Sequence, residues 1–310
     1  MDHKLYLSDP GIYKKGIHFY HNGSNKPVND LKILHRLSSF KVPPAWVNVW
    51  YASNKKCHIQ VHGTDQSGKK QYILSSSWVN NAKFEKYTRM KKFIRNLPAF
   101  KRHVKLAKNE NFNSKESLMK LLFNLLIDTH IRVGNEIYAQ SNKTYGLTTL
   151  RQKHFDGNSF VFTGKSKIKH SISIPEEYIV YLKKLVQSDK SKPLFCYNGN
   201  QTIDSEELNT YLKENMGQDY TCKDFRTYSA NILFIKAFLK NIKKGNNTRP
   251  SIKKIILKSI DSAAEFLGHS RNISRKSYIS DNLLNYCLTT SLDVLVAEST
   301  AGLVSKIWES

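Results

Sequence analysis

The sequence predicts an α+β protein, with a small β-rich N-terminal domain over residues 1–80 and a larger, mainly helical domain over residues 81–310. Up to about residue 80, short segments rich in β-branched and aromatic residues alternate with Gly, Asn, Asp and Ser, as in strands joined by turns. Beyond that point apolar residues recur at every third or fourth position, which is the period of an amphipathic helix. A chain of 310 residues, 40% of them hydrophobic, is long enough to bury a proper core and suggests two domains.

Each predicted element follows from a local pattern. Three N-terminal segments are predicted as strands: WVNVWYA, CHIQVHGTD and KKQYILS. Two later segments are predicted as helices by their apolar faces, which consist of Leu118, Leu122, Leu125 and Thr129 in the first and of Ile256, Ile260, Ala264 and Leu267 in the second. Between them, NSFVFTGKSKIKHSISIP predicts two strands around a turn, and KDFRTYSANILFIKAFLKNI predicts a helix followed by a Gly/Asn/Pro-containing connection over 243–251.

The charge of the chain indicates a polyanionic partner. There are 49 Lys and Arg residues against 25 Asp and Glu residues, a formal net charge of +24. Because these cations are spread over folded-looking segments and are not concentrated beside one amphipathic helix, they favour nucleic acid over an anionic membrane surface. No apolar run approaches the roughly 18 residues that would suggest a membrane span.

The remaining composition favours an intracellular protein without a metal or cofactor. The N-terminal residues show neither a signal peptide nor a transit pattern. The four cysteines are too scattered for a disulfide framework or a zinc site; they are Cys57, Cys196, Cys222 and Cys287. Five histidines lack metal-ligand spacing and are interpreted as structural; they are His58, His62, His130, His154 and His170.

Five residues beside these structural signals suit the chemistry of a phosphodiester. That reaction needs fixed donors for the non-bridging oxygens, an acid for the leaving oxygen and a nucleophile in line with it. Arginines, a histidine, a lysine and a tyrosine make up such a set without a metal; here they are Arg132, Lys165, Arg226, His269 and Tyr278. Charge alone does not distinguish them from the other cations and the 16 tyrosines of the chain.

The segments that contain these five residues resemble, in order and spacing, the active-site motifs of type IB DNA topoisomerases. They are RVGNEIYA, GKSK, KDFRTY and LGHSRNISRKSY, and they are most similar to the small poxvirus, giant-virus and bacterial branch of the family. Independently, Leu34–Tyr72 resembles the N-terminal domain of that branch. The resemblance extends over roughly Val28 to Ile279, and the ordered set is far more specific than any single motif.

The resemblance implies a role for each residue. Tyr278 would attack DNA to form a 3′-phosphotyrosyl link, and religation would follow rotation of the duplex, so that positive and negative supercoils are relaxed without ATP or metal. Arg132 and Arg226 would bind the non-bridging oxygens, His269 would donate to one of them, and Lys165 would be the general acid. At Ser166 the family often has an acidic residue, which puts the contribution of that position in doubt.

The resemblance also implies how the protein would bind DNA. The two domains would close as a clamp around duplex DNA, and the protein would act as a monomer. Five residues match DNA contacts of the family, four of them in the segment that enters the DNA groove: Lys69, Lys70, Gln71, Tyr72 and Tyr138. The cleavage-site preference does not follow from the sequence.

Two other functions share part of this pattern. A tyrosine recombinase or integrase uses the same catalytic set, but it usually has a histidine three residues before the second arginine, where this chain has Lys223. A non-catalytic architectural DNA-binding protein is disfavoured because all five positions are present. The Lys-, Asn- and Ile-rich composition indicates an AT-rich genome but does not distinguish a virus from a bacterium. We prefer a viral origin, for which the location would be the virion and the host-cell cytoplasm (viral factory); for a bacterial protein it would be the bacterial cytoplasm.

Overall fold

A computed structural model describes residues 3–217, 220–243 and 252–308 of the chain. Its contacts divide the chain into two compact units, one ending at Lys86 and the other beginning at Tyr87. Apart from Lys243, the connection predicted over 243–251 lies outside the described residues.

The first unit contains a five-stranded antiparallel sheet. The strands lie in the order β2-β1-β3-β4-β5, and a small core packs on one face of the sheet. The elements are α1 (His3–Ser8), β1 (Ile12–Lys15), β2 (His18–His21), α2 (Leu31–Ser38), β3 (Val47–Tyr51), β4 (Ile59–Thr64) and β5 (Lys70–Leu74). The three strands predicted from sequence correspond to β3, β4 and β5.

Helix α2 was not predicted, because its eight residues lie in a region whose turn residues suggested strands and loops only. Asp30 begins it as an N-cap, accepting hydrogen bonds from the backbone of Lys32 and Ile33 at 2.7 and 3.2 Å. Leu37 is fully buried in the core of this unit, against the sheet residues Tyr51 and Val61. The apolar face of α2 thus covers apolar residues of the sheet that would otherwise be exposed to solvent.

The second unit is mainly helical with one two-stranded antiparallel sheet. Its elements, the first of which starts before Tyr87, are α3 (Ser76–His103), α4 (Lys115–Thr129), α5 (Glu136–Asn142), β6 (Ser159–Thr163), β7 (Lys169–Ser173), α6 (Glu176–Lys183), α7 (Ser205–Met216), α8 (Cys222–Lys243), α9 (Ile252–Phe266), α10 (Arg271–Ser277), α11 (Asp281–Thr289), α12 (Leu292–Ala297) and α13 (Thr300–Trp308). The predicted combination of a β-rich N-terminal part with a larger, mainly helical part is confirmed. None of the helices in the described ranges is long and apolar enough to cross a lipid bilayer.

Helix α4 lies at the centre of the second unit. Ten of its fifteen residues are buried, so it is apolar nearly all round rather than along one stripe. Phe123 packs edge-on against Phe100 of α3 with ring centroids 5.0 Å apart, and its ring also lies near Phe225 of α8. The burial of α4 fixes where its C-terminal end lies, and the candidate site begins at that end.

We expect truncation of the α4 core to destabilise the protein strongly. Leu122 is fully buried, so Leu122→Ala should lower the free energy of unfolding by about 2–5 kcal/mol through lost transfer energy and the cavity left behind. Glu116→Ala removes an exposed ion pair with Lys120 and a negative charge from the first turn of the same helix, and it should change the free energy of unfolding by less than about 1 kcal/mol. Urea unfolding of both variants measures the difference, and equal effects would contradict the central position of α4.

Candidate active site

Tyr278 ends helix α10 and lies largely buried, with 8% of its surface exposed. Its ring stacks on the imidazole of His269, with centroids 4.5 Å apart and planes 24° from parallel. Its backbone carbonyl accepts hydrogen bonds from Asn231 Nδ2 at 2.9 Å and from the Tyr87 hydroxyl at 3.2 Å. Asn231 also accepts from the backbone N–H of Ser280 at 2.9 Å. Residues of α3 and α8 therefore fix the backbone at this tyrosine and immediately after it.

His269 follows the C-terminal end of α9. Gly268 adopts a left-handed conformation with φ of 62°, and the His269 N–H then donates to Ala264 O at 2.8 Å, which closes the helix end. The Arg226 guanidinium can only donate, so His269 Nε2 accepts from Arg226 Nη2 at 3.0 Å and the proton lies on Nδ1, 3.4 Å from Ser274 Oγ. Burial, Arg226, Arg132 and His170 lower the pKa of His269 to about 3, so the imidazole is neutral at neutral pH.

Arg226 is a buried cation on the second turn of α8, with 6% of its surface exposed. Its Nη1 donates to the backbone carbonyl of His130, and its Nη2 donates to that of Leu267 at 2.8 Å. Burial and the charge of Arg132 lower the pKa of the guanidinium, whereas a hydrogen bond to Tyr278 raises it. Within the described ranges it forms no ion pair with a carboxylate, and its buried Nε has no hydrogen-bond partner.

This arrangement is chemically unusual because a buried charge normally has a counter-ion. Here the groups around the guanidinium are backbone carbonyls, a neutral imidazole and the hydroxyl of Tyr278. Arg226 therefore offers an unused donor and an uncompensated positive charge directly beside a tyrosine. Such a site is suited to an anion that accepts hydrogen bonds.

The start of α8 is fixed by Asp224, which positions Arg226 two residues later. The Asp224 carboxylate accepts from the backbone N–H of Thr221 at 2.9 Å and forms an ion pair with Arg89 of α3 at 3.1 Å. The side chain of Asp224 is almost fully buried. The carboxylate in this region is thus held by Arg89, so it does not neutralise the guanidinium of Arg226.

Arg132 follows the end of α4. His130 ends that helix in a left-handed conformation with φ of 55°, and the extended chain after it is held by hydrogen bonds from Leu147 N to Arg132 O at 2.7 Å and from Thr148 N to Val133 O at 2.6 Å. The Arg132 side chain is partly exposed, and its charge lowers the pKa of Arg226, His269 and His170. The four residues therefore form one electrostatic cluster.

Lys165 lies on an exposed turn between β6 and β7. The backbone N–H of Gly164 donates to Ile168 O at 2.7 Å and closes the turn, while Ser166 and Lys167 both have positive φ, 62° and 58°. Arg226, His269 and Tyr278 contact one another directly. The Lys165 turn approaches them through its neighbour Gly164, which packs against the ring of His170.

Two histidines that the sequence analysis interpreted as structural belong to this region. His130 accepts the Arg226 hydrogen bond with its carbonyl, and its Nδ1 lies 2.8 Å from Ser229 Oγ. Burial and the charge of Arg226 lower its pKa to about 4. His170 pairs with Phe162 across the β6–β7 hairpin, where the two rings stack with centroids 5.2 Å apart. The sequence offers one signal for His130, its position two residues before Arg132, and for His170 only its position in the GKSK hairpin.

The residues that match DNA contacts lie on exposed parts of the two units. Lys69, Lys70 and Tyr72 are exposed at the start of β5, whereas the Gln71 side chain is partly buried and donates to Asp65 Oδ2 at 2.7 Å. Asp65 also accepts from the Ser67 hydroxyl at 2.7 Å and from the backbone of Lys69 at 3.0 Å, and these bonds lower its pKa to about 2. In the second unit, Tyr138 is half exposed on α5.

No group of three or more His, Cys, Asp or Glu side chains that could hold a metal ion is found in residues 3–217, 220–243 and 252–308. The four cysteines lie buried as free thiols.

Comparison with known proteins shows which family the chain resembles. Residues 75–288 match the family model of the catalytic core of eukaryotic DNA topoisomerase I, and residues 18–65 match that of the N-terminal domain of bacterial DNA topoisomerase IB. The chain is 34% identical to DNA topoisomerase 1B of Acanthamoeba polyphaga mimivirus over 90% of its own length and 86% of that protein. It is 28% identical to DNA topoisomerase 1B of Vaccinia virus (strain Copenhagen) over 93% of each chain.

The lowered pKa of His130 predicts a loss of stability in acid. The folded state holds His130 neutral down to about pH 4, whereas an unfolded histidine takes up a proton near its ordinary value of 6.5. Stability is therefore lost as the pH falls through this window, by roughly 1–2 kcal/mol between about pH 7 and about pH 5 for His130 alone.

In urea unfolding at these two pH values, His130→Gln should show a smaller decrease in the free energy of unfolding than the natural protein. His62, His154, His170 and His269, whose pKa values are lowered in the same direction, remain in both proteins and contribute to the residual decrease. His18→Gln, on the exposed end of β2, is the matched control. An unchanged pH dependence in His130→Gln would show that His130 is not held neutral.

Proposed function

Because the chain belongs to the type IB DNA topoisomerase family, we propose that it relaxes positive and negative supercoils in duplex DNA through a transient 3′-phosphotyrosyl intermediate, without ATP or metal. One observation supports this most directly. The buried Arg226 guanidinium has no carboxylate partner in the described ranges and lies beside the Tyr278 hydroxyl and the His269 ring. A phosphodiester supplies the anion that this site lacks and the electrophile that the tyrosine needs.

In the proposed cleavage step, the Tyr278 oxygen forms a bond to phosphorus and the bond from phosphorus to the 5′-oxygen breaks. The phenol proton passes to solvent, and the Lys165 ammonium gives a proton to the leaving 5′-oxygen, which becomes a hydroxyl. Lys165 is then reprotonated from solvent, so the step consumes no net proton. Religation is the same sequence in reverse, and the covalent intermediate keeps the bond energy, so no ATP is required.

Arg226, Arg132 and His269 would stabilise the charge on the non-bridging oxygens. Arg226 has its Nε donor available, and Arg132 is close enough to affect the same groups electrostatically. A phosphate oxygen at Arg226 would compete for the Nη2 donor that now points at His269 Nε2. Once that donor is drawn away, the neutral imidazole can carry its proton on Nε2 and donate it to the phosphate.

The same cations favour the nucleophile. A negative charge developing on the Tyr278 oxygen lies against Arg226, which already forms a hydrogen bond with this side chain. We assign no carboxylate base to this step. Electrostatic stabilisation by the guanidinium groups takes that role in the proposal.

DNA binding would rest on the charge of +24 and on exposed residues of both units. We propose that Lys69, Lys70 and Tyr72 contact DNA from the first unit and Tyr138 from the second, with the units closing as a clamp around the duplex. Gln71 would have to exchange its hydrogen bond with Asp65 for a base edge. We further propose a monomer that acts inside the cell, in a viral factory and the virion if its origin is viral.

Plasmid relaxation tests this function. With negatively and positively supercoiled plasmid, in EDTA and without ATP, the protein should produce a ladder of relaxed topoisomers, because no step uses a metal or nucleotide. Rates should fall steeply with added salt, since phosphate contacts release bound counter-ions. Strand exchange between paired sites in the absence of relaxation would instead identify a tyrosine recombinase, and DNA binding without either reaction would identify an architectural protein.

Substitutions at the site should separate the proposed roles. Tyr278→Phe should form no covalent protein–DNA adduct, because the nucleophilic oxygen is absent. His269→Ala should still form the adduct, at a rate lower by about 10²–10³, the usual effect of removing one donor from a developing oxyanion. Trapping the adduct on a suicide substrate and resolving it by denaturing electrophoresis measures both. An adduct formed by Tyr278→Phe would assign the nucleophile to another residue.

A further inference from the structure

The imidazole of His170 lies between two glycines, each of which immediately precedes a residue of the proposed active site. Gly164 precedes Lys165 on the β6–β7 turn, and Gly268 precedes His269 after α9. A Cβ atom built on Gly164 would lie 2.7 Å from His170 Cδ2 and 2.8 Å from its Nε2, and a Cβ on Gly268 would clash with Cε1 of the same ring. The ring therefore packs directly against both backbones, and only residues without a side chain leave room for it.

The ring of His170 is also fixed on its own strand. It stacks on Phe162, the residue paired with it on β6, with the planes 22° from parallel. Burial and the charges of Arg132 and Arg226 lower its pKa, so it is neutral near the two guanidinium groups. A neutral aromatic ring can occupy this position without adding a further positive charge to the cationic cluster.

Few contacts of its own fix the position of Lys165. It is exposed, and within the part of the chain that the structure describes its side chain has no hydrogen bond or ion pair. The turn that carries it contains two consecutive residues with positive φ, Ser166 and Lys167, neither of which is buried. The location of this turn relative to His269 therefore depends on contacts made by neighbouring residues, and His170 provides a contact to both sides.

We propose that His170 is a positioning residue that holds the Lys165 turn against the His269 loop. This inference rests on the proposed function, because it assigns Lys165 to protonation of the leaving oxygen. The bonds made and broken are those of the cleavage step, and His170 exchanges no proton with the DNA. Its ring sets the distance between the acid on one side of the phosphate and the histidine and tyrosine on the other. A small displacement of an acid from its acceptor costs a large factor in rate.

A substrate with sulfur in place of the bridging 5′-oxygen at the cleavage site distinguishes this role from a general loss of structure. A thiolate is a far better leaving group than an alkoxide, since a thiol has a pKa of about 8.5 and water about 15.7. It can leave without a proton from Lys165. A variant whose defect lies in delivering that proton is rescued by sulfur, whereas a variant that has lost phosphate binding or its fold is not.

In single-turnover cleavage, His170→Ala should be slower than the natural protein by about 10²-fold on the oxygen substrate, within the range of a lost general acid. On the sulfur substrate its rate should approach that of the natural protein. Lys165→Ala should show the same rescue, and His18→Ala, at an exposed position of β2, should match the natural protein on both substrates. His170→Phe keeps an aromatic ring, although a larger one, and should retain more of the rate on oxygen than His170→Ala.

A double-mutant cycle tests the contact itself. Gly164 has φ of −96°, so alanine is compatible with its backbone, and the only obstacle is the His170 ring. Gly164→Ala should therefore slow cleavage of the oxygen substrate in the natural protein. In the His170→Ala background it should have little further effect, because the ring that it displaces is already gone.

The outcomes distinguish a failure of the proposed function from a failure of the positioning role of His170. If the natural protein forms no covalent adduct on either substrate, the proposed function fails. If it forms the adduct but His170→Ala is unaffected, or is slowed equally on oxygen and sulfur, the positioning role fails. Additive effects of Gly164→Ala and His170→Ala would also overturn it. Should His170→Ala not fold, as judged by circular dichroism, His170→Phe and Gly164→Ala decide the question with the same substrates.

Discussion

The architecture of the candidate site depends on how one buried guanidinium is accommodated. Arg226 donates hydrogen bonds to the backbone carbonyls of His130 and Leu267, which lie just beyond the C-terminal ends of α4 and α9. Carbonyls at helix ends lack partners within their helices and carry a partial negative charge. The guanidinium therefore satisfies the ends of two helices at once, and these helix ends offset part of its charge without supplying a carboxylate.

The use of backbone carbonyls, and not a carboxylate, as partners of Arg226 has consequences for the charge of the whole site. A carboxylate partner would stabilise Arg226 in the free protein but would compete with a phosphate for it. Carbonyls leave the net charge in place, and the nearest buried carboxylate on α8, Asp224, is held by Arg89. Burial and the nearby guanidinium charges lower the pKa values of His130, His170 and His269, which keeps these imidazoles neutral. Within the described residues, the site thus keeps a buried positive charge that no carboxylate neutralises.

The sequence predicted those parts of the molecule that depend on local pattern. The apolar stripes of α4 and α9 are buried, and the strands β3 to β7 follow from alternation and turn residues. The five site residues came from several motifs in a fixed order, and the structure brings Arg226, His269 and Tyr278 into contact. The interactions around them could not be predicted, because the left-handed His130 and the packing of His170 against Gly164 and Gly268 join segments far apart in sequence. Helix α2 was missed since eight residues with turn-forming neighbours give a weak periodic signal.

Under the proposed function, the hydrogen bonds to the backbone of Tyr278 would also resist a mechanical load, because a DNA strand would be joined to this side chain. A duplex rotating about its uncut strand would exert a pull and a torque on that covalent link. That load would pass through the Tyr278 main chain to Asn231 on α8 and to Tyr87 on α3, two of the longest helices of the protein. The short helix α10, only seven residues long, would not have to resist it alone, so the severed end could stay in register for resealing while the rest of the DNA turns.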